Sequence, residues 1–187
     1  MSDKIKFPRA EALKAARHIC LQLADVTSRL ICAGSLRRGK EMVGDVEILY
    51  IPLFGEARDG LFDTKKVNRA DQILDQFLKE GILAKRLNKN GNETWGPSNK
   101  LAIYVPNGVP VDLFQASESN WWNYLVCRTG GKQNNINICQ AAQRKGWQWH
   151  PTSRGFTNER GYPVTVKSER DVFEFLGLSY LEPHQRP

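Results

Sequence analysis

No run of this 187-residue chain approaches the apolar length needed to cross a bilayer, and its first residues lack the basic-then-apolar layout of a secretory leader. The expectation is a protein that is not secreted and has no membrane partner. Cysteine is sparse: Cys20, Cys32, Cys127 and Cys139 stand far apart in sequence, with no CxxC among them. The histidines His18, His150 and His184 add no metal-ligand spacing. These absences argue against a zinc framework and a disulfide scaffold. They suit a reducing, cytoplasmic compartment in which the thiols act as small buried hydrophobes. Repeats and low-complexity tracts are missing too, and no feature indicates an oligomer.

What the chain does carry is an excess of one charge. It has 27 Lys and Arg against 20 Asp and Glu, a formal net charge of +7. A polyanionic partner fits that balance, but the acids are numerous enough that any basic surface is a local face. With 41% hydrophobic residues, the chain can bury a core as one compact unit or two small subdomains.

Periodicity predicts a helix from Pro8 to about Leu30, with Leu13, Ala16, Cys20 and Leu23 at helical spacing. A short strand follows at Leu30–Ala33, then a basic, glycine-punctuated turn from Gly34 to Gly44. Val46 to Ile51 is strongly β-prone and closes at Pro52. A second amphipathic helix is expected near residues 65–79, ended by Gly81, then a strand at 82–87 and a polar loop at 88–99. Leu101–Val105 and Val109–Phe114 flank Asn107-Gly108, a type I′ hairpin signal that places Asp112 on a strand. Helices are expected at about 118–127 and 131–145, then short Trp- and Gly-rich strands. A last helix spans about 169–176, capped by Ser168 with Asp171 in its first turn.

Gly34-Ser35-Leu36-Arg37-Arg38-Gly39-Lys40 has the spacing of a phosphate-binding P-loop, G-x-x-x-x-G-K. The next residue is Glu41, where a hydroxyl should hold magnesium, and a carboxylate-bearing strand follows in place of a helix. The P-loop reading therefore fails. On the strand, Asp45 and Glu47 alternate onto one face. Adjacent carboxylates repel unless a cation lies between them, and oxygen-only sites suit Mg²⁺ or Mn²⁺. Asp112 can supply a third acid, and three acids can hold two metals for in-line displacement at phosphorus. Ser35, Arg37 and Arg38, with backbone amides freed by Gly34 and Gly39, form a cluster suited to a triphosphate. Taken singly, a D-x-E strand and a Gly-Ser turn are ordinary; in this order they are much less so.

The run GSLRRGKEMVGDVEILYIP resembles the catalytic motif of family X DNA polymerases, the group of DNA polymerase beta. FPRAEAL looks like the start of that family's first palm helix, and VDLF resembles the strand carrying its third catalytic acid. RTGGKQNNIN, RKGWQWHPTSRGF and VFEFLGLSYLEPHQRP resemble thumb segments, so the likeness spans most of residues 6–187. It implies an α+β fold: a nucleotidyltransferase palm with a mixed β-sheet and flanking helices over residues 1–118, then a small α+β thumb over 119–187. It implies Asp45, Glu47 and Asp112 as catalytic metal ligands for two Mg²⁺ ions, with Mn²⁺ able to substitute. For nucleotide binding it implies Ser35, Arg38, Gly34, Gly44, Lys6, Gly130 and Asn135.

Departures from the family pattern are Glu47 for the usual aspartate, Pro110 where the best-known member has an arginine on a catalytic carboxylate, and Cys127 and Arg128 where aromatics stand beside the sugar. The family's lyase domain and helix-hairpin-helix fingers have no counterpart in this sequence. Grip on DNA is then expected from Lys85, Arg86, Lys89 and Lys100 near the hairpin and from Lys132, Arg144 and Lys145 in the thumb. The five tryptophans are expected chiefly in the core, with base stacking as the alternative. The leading expectation is a DNA polymerase that takes dNTPs and a primer-template or gapped DNA in repair-like filling. A template-independent nucleotidyltransferase and a catalytically silent nucleic-acid-binding module remain alternatives.

Overall fold

Helix α1 opens directly after a two-residue strand, β1 (Phe7–Pro8), and runs Arg9–Leu23 with Ala12, Ala15, Ala16, Ile19 and Leu23 on its buried stripe. The sequence reading carried this helix on to about Leu30. The α-helix ends at Leu23 and tightens into a 3-10 turn over Ala24–Val26; the Thr27 hydroxyl donates back to the Leu23 carbonyl at 2.8 Å, and Thr27–Cys32 pair in a sheet. The computed structural model describes residues 5–59 and 63–187. Its contacts divide the chain into two units, one of residues 1–32 and 41–115, the other of residues 33–40 and 116–187. Among the described residues, no helix is long and apolar enough to cross a membrane.

The first unit is built on a five-stranded sheet. Its strands are β2 (Thr27–Cys32), β4 (Val46–Pro52), β7 (Leu83–Lys85), β8 (Asn99–Tyr104) and β9 (Val109–Gln115), in the order β2-β4-β9-β8-β7. Only β4 and β9 are parallel, so the sheet is mixed. Along β9 the buried Val109, Val111 and Leu113 alternate with the half-buried Pro110 and Asp112. That alternation turns one face toward α1, which packs against β2, β4 and β9. β3 (Met42–Val43) pairs with β1. A two-stranded ribbon, β5 (Phe54–Asp59) with β6 (Asp63–Asn68), leads into α3 (Arg69–Lys79).

Residues 65–68, expected in the second helix, belong to the ribbon instead. Asn68 is the cap of α3, its side chain accepting from the Asp71 amide at 3.2 Å, so the helix starts after it. The β8–β9 hairpin forms as its alternation requires, but its turn is not type I′. Gly108 alone of the central pair has positive φ, 72°. Its amide reaches back to the Tyr104 carbonyl at 2.9 Å, closing a longer connection.

The second unit holds α2 (Gly34–Arg37), α4 (Trp121–Thr129) and α5 (Lys132–Arg144). It continues with a three-stranded sheet of β10 (Gln148–His150), β11 (Gly155–Thr157) and β12 (Pro163–Val164), and with α6 (Glu169–Glu174). Its core joins Val126, Ile138, Trp149, Phe156, Val172 and Phe173. Ser168 caps α6 as expected, accepting from the Asp171 amide at 3.1 Å.

The tryptophans are mainly packing residues. Trp121 and Trp149 are buried, Trp122 and Trp147 lie against this core, and Trp95 donates to Asp75 at 2.9 Å. None of the four cysteines is in a disulfide, yet folding brings two that are distant in sequence together. The Cys20 and Cys32 sulfurs lie 3.8 Å apart, and that hydrogen bond, with burial, pushes the Cys20 thiol well above its ordinary range.

Candidate active site

The parallel pairing of β4 with β9 sets Glu47 directly beside Asp112. Facing residues on neighbouring strands point the same way, so both acids occupy the face opposite α1. Asp45 lies two residues ahead of Glu47, just before β4 begins. Phe7 pairs with Val43, so Lys6, just ahead of β1, lies at the end of the ribbon from which the chain runs on to Gly44 and Asp45. The first unit thus brings Glu47 and Asp112 together and leads Asp45 and Lys6 to the same end of β4.

A cation already stands at this acid pair. The Arg86 guanidinium donates through Nη2 to Asp112 Oδ1. Arg86, expected among the DNA contacts, is turned to Asp112 instead. The donor set, oxygen-only and carboxylate-rich, fits a hard divalent ion, and the guanidinium shows that Asp112 accepts positive charge. Among the described residues no three acidic, histidine or cysteine side chains converge into a ready-made metal cage. The expected trio is therefore found as an in-register pair with Asp45 next in line.

The glycine-serine turn belongs to the second unit and is organised by different partners. Gly34 adopts positive φ, 61°, and opens the short α2. The sequence reading expected backbone amides here to be available to phosphate. Those of Arg37, Arg38, Gly39 and Lys40 are instead consumed internally, on the carbonyls of Ala33, Gly34, Leu36 and Ser35. Arg37 was also expected at the triphosphate. Its guanidinium grips Glu169 through two bonds of 2.8 and 2.7 Å and donates to the Thr129 hydroxyl at 2.7 Å. Arg186 donates to the same Glu169 carboxylate at 2.8 Å. Burial pushes the Glu169 carboxyl up, but the two guanidiniums outweigh it and hold it below the ordinary glutamate range. Arg38 donates to the Thr129 carbonyl at 2.7 Å. Ser35 is half-buried within α2.

Gly130 lies tight against two asparagines: a Cβ there would come within 2.3 Å of Asn134 Nδ2 and 2.7 Å of Asn135 Oδ1. Asn135 donates to the Cys127 carbonyl at 2.8 Å. Asn135, Lys132, Ile136, Cys139, Trp149 and Pro151 line a cavity of about 350 Å³. Gly130 and Asn135, both expected at the nucleotide, thus lie side by side, and the cavity that Asn135 lines had no signal in the sequence.

The expected DNA contacts divide. Lys132 is exposed, and Lys85 is exposed but paired with Glu93 at 3.0 Å. Lys100 is not a surface cation at all. It is 2% exposed, with its ammonium 2.8 Å from Asp71 and 2.9 Å from the Gly96 carbonyl, so it is corrected to an internal tie. Sequence reasoning also missed Glu169, Thr129 and Arg186. No local pattern marks them: Thr129 and Glu169 lie 92 and 132 residues from their partner Arg37, and Arg186 meets Glu169 across 17.

A family model of the DNA polymerase beta palm matches residues 6–102, and one of the DNA polymerase beta thumb matches residues 124–187. DNA polymerase lambda of Arabidopsis thaliana is 28% identical over 176 residues, covering 84% of this chain and 31% of that protein. DNA polymerase lambda of Rattus norvegicus is 26% identical over 200 residues, covering 97% of this chain and 33% of that one. The chain thus spans about a third of the length of these relatives. A crystal structure of Leishmania infantum polymerase beta, a ternary P/T complex, superposes with a TM-score of 0.71. At 20% identity, over 98% of this chain and 77% of that one, the likeness is one of fold. The α+β architecture is accordingly that of a polymerase palm and thumb. The chain belongs to the family X DNA polymerases, the group of DNA polymerase beta.

Proposed function

We propose that this chain is a divalent-metal-dependent nucleotidyltransferase that adds dNMP from a dNTP to a DNA primer 3′-OH, releasing pyrophosphate, in gap filling of the repair kind. The observation that carries the reading is the in-register pairing of Glu47 with Asp112, both half-buried, on the face of the β4–β9 pair away from α1. Family membership and the relatives named above support it.

Asp45, Glu47 and Asp112 are the residues to hold Mg²⁺ or Mn²⁺. When bound, such ions supply Lewis-acid polarisation of the phosphoryl oxygens and lower the cost of ionising the attacking hydroxyl. Ser35 and Arg38 are the residues assigned to the triphosphate, and Lys6, Gly34 and Gly44 complete the nucleotide-binding set that the family likeness implies. In the transfer, the primer 3′-oxygen forms its bond to the α-phosphorus as the bond to pyrophosphate breaks. The positive charge of Arg38 offsets what develops on the leaving group. Gly130 and Asn135 border the base. A primer-template is the proposed partner, and the Leishmania P/T complex is consistent with it. A reducing compartment is part of the same proposal and suits four cysteines outside any disulfide.

The test is primer extension with Mg²⁺ and dNTPs, with and without template. Template-dictated extension is expected. Asp112→Ala should lower it at least about a hundredfold, the loss of several kcal/mol of charge stabilisation. Extension indifferent to template would assign the template-independent activity instead. DNA binding with no extension in Mg²⁺ or Mn²⁺ would make the chain a silent binding module.

A further inference from the structure

A row of four residues crosses the acid face of the sheet. Lys85 pairs with Ala102, and the Arg86 amide donates to the Leu101 carbonyl at 2.9 Å, so Arg86 lies opposite Leu101. Leu101 pairs with Asp112, and Asp112 with Glu47. Opposed residues share a face, which puts Arg86, Leu101, Asp112 and Glu47 in line across it. Two strand spacings, roughly 9.5 Å, separate the Arg86 backbone from that of Asp112. Only a long side chain bridges that span, and Arg86 does so over Leu101 to end on Asp112 Oδ1.

The contact is sheltered, with the two side chains 28% and 16% exposed, so water and salt screen it less than a surface pair. Arg86 also buries its Nε with no hydrogen-bond partner. A desolvated N–H is a cost, and the ion pair with Asp112 is what offsets it. An arginine kept for grip on DNA would extend its fork to solvent. This one is drawn inward to a single carboxylate that already faces a second acid.

We propose that Arg86 is a positioning residue for Asp112. Its guanidinium holds Oδ1, fixes the orientation of the carboxylate beside Glu47, and balances the repulsion between the two acids. This rests on the metal-dependent nucleotidyl transfer proposed above. Arg86 itself touches neither nucleotide nor primer; it acts through Asp112.

The experiment compares the full chain with Arg86→Gln and Arg86→Lys by four readouts. These are steady-state primer extension, Mn²⁺ binding by electron paramagnetic resonance without DNA or nucleotide, DNA affinity at two salt concentrations, and thermal melting. Arg86→Gln is expected to lower kcat about tenfold or more, with KM for dNTP within about threefold, because an aligned catalytic group has been loosened while the nucleotide contacts remain. Its Mn²⁺ affinity should fall severalfold and its DNA affinity and salt slope stay unchanged. Arg86→Lys, keeping the charge without the fork, should recover part of both losses.

Wild-type rate and Mn²⁺ affinity in Arg86→Gln would overturn the proposal. So would tighter Mn²⁺ binding, which would make Arg86 a competitor of the ion, or a change confined to DNA affinity and salt slope. Should Arg86→Gln not fold, Arg86→Lys decides alone, with a drop in kcat and Mn²⁺ affinity expected and wild-type values overturning. If the wild-type chain extends no primer, the transfer reading falls. Mn²⁺ titration of the variants still reports whether Arg86 orders Asp112.

Discussion

Lys100 shows how a single side chain can change its meaning on folding. Its sequence neighbourhood, a polar loop meeting a strand, suggested a cation available to phosphate. In the sheet it falls opposite Leu113, among the positions that alternate inward, and its ammonium is met by Asp71, the Gly96 carbonyl and the ring of Trp95. Lys100→Ala should therefore lower stability by about 1–3 kcal/mol, because it strips Asp71 of its partner. DNA affinity per folded molecule should be unchanged; denaturant melts and binding isotherms on the same preparation separate the two. Arg86 belongs with it. Both were legible as positive charges and neither as a partner for a particular acid, since that depends on which strands lie side by side.

At the scale of elements, the second unit is tied by Glu169 at the start of α6. It joins Arg37 of α2 to Arg186 near the carboxy end, and Arg37 in turn reaches Thr129 at the end of α4. Glu169 and Arg186 are buried, so removing the acid alone strands two guanidiniums. Glu169→Gln should cost about 3–5 kcal/mol in a denaturant melt. The pH dependence has a definite sign. A carboxyl held below its unfolded value stabilises fully above that value and loses the contribution as pH falls through the folded one. Wild type should thus lose stability on the acid side, below about pH 4.3, and Glu169→Gln should lack that part of the fall. The capped start of α6 could be read from Ser168 and Asp171, and the β8–β9 hairpin from its alternation. The end of α1 could not, because Thr27 closing onto Leu23 and the pairing of β2 with β4 outweigh helical periodicity.

For the molecule as a whole, a net charge of +7 and the polymerase reading together predict salt-sensitive binding to DNA. Each phosphate neutralised contributes about 0.9 to the slope of log affinity against log salt. Lys132→Ala should lower that slope by about one if Lys132 meets a phosphate, whereas Lys100→Ala should leave it alone; fluorescence anisotropy across a salt series checks both. The membership of the chain in its family and its α+β class were determined by the linear sequence, which also made Asp45, Glu47 and Asp112 its candidate acids. Alternation, glycine spacing and carboxylate chemistry are local properties that survive without a fold. Tertiary structure alone decided that Glu47 faces Asp112, that Arg86 crosses Leu101 to hold it, and that Arg37 turns from phosphate to Glu169. Those outcomes depend on strand register and on burial of charge, where a cation takes whichever anion the fold brings within reach of its side chain.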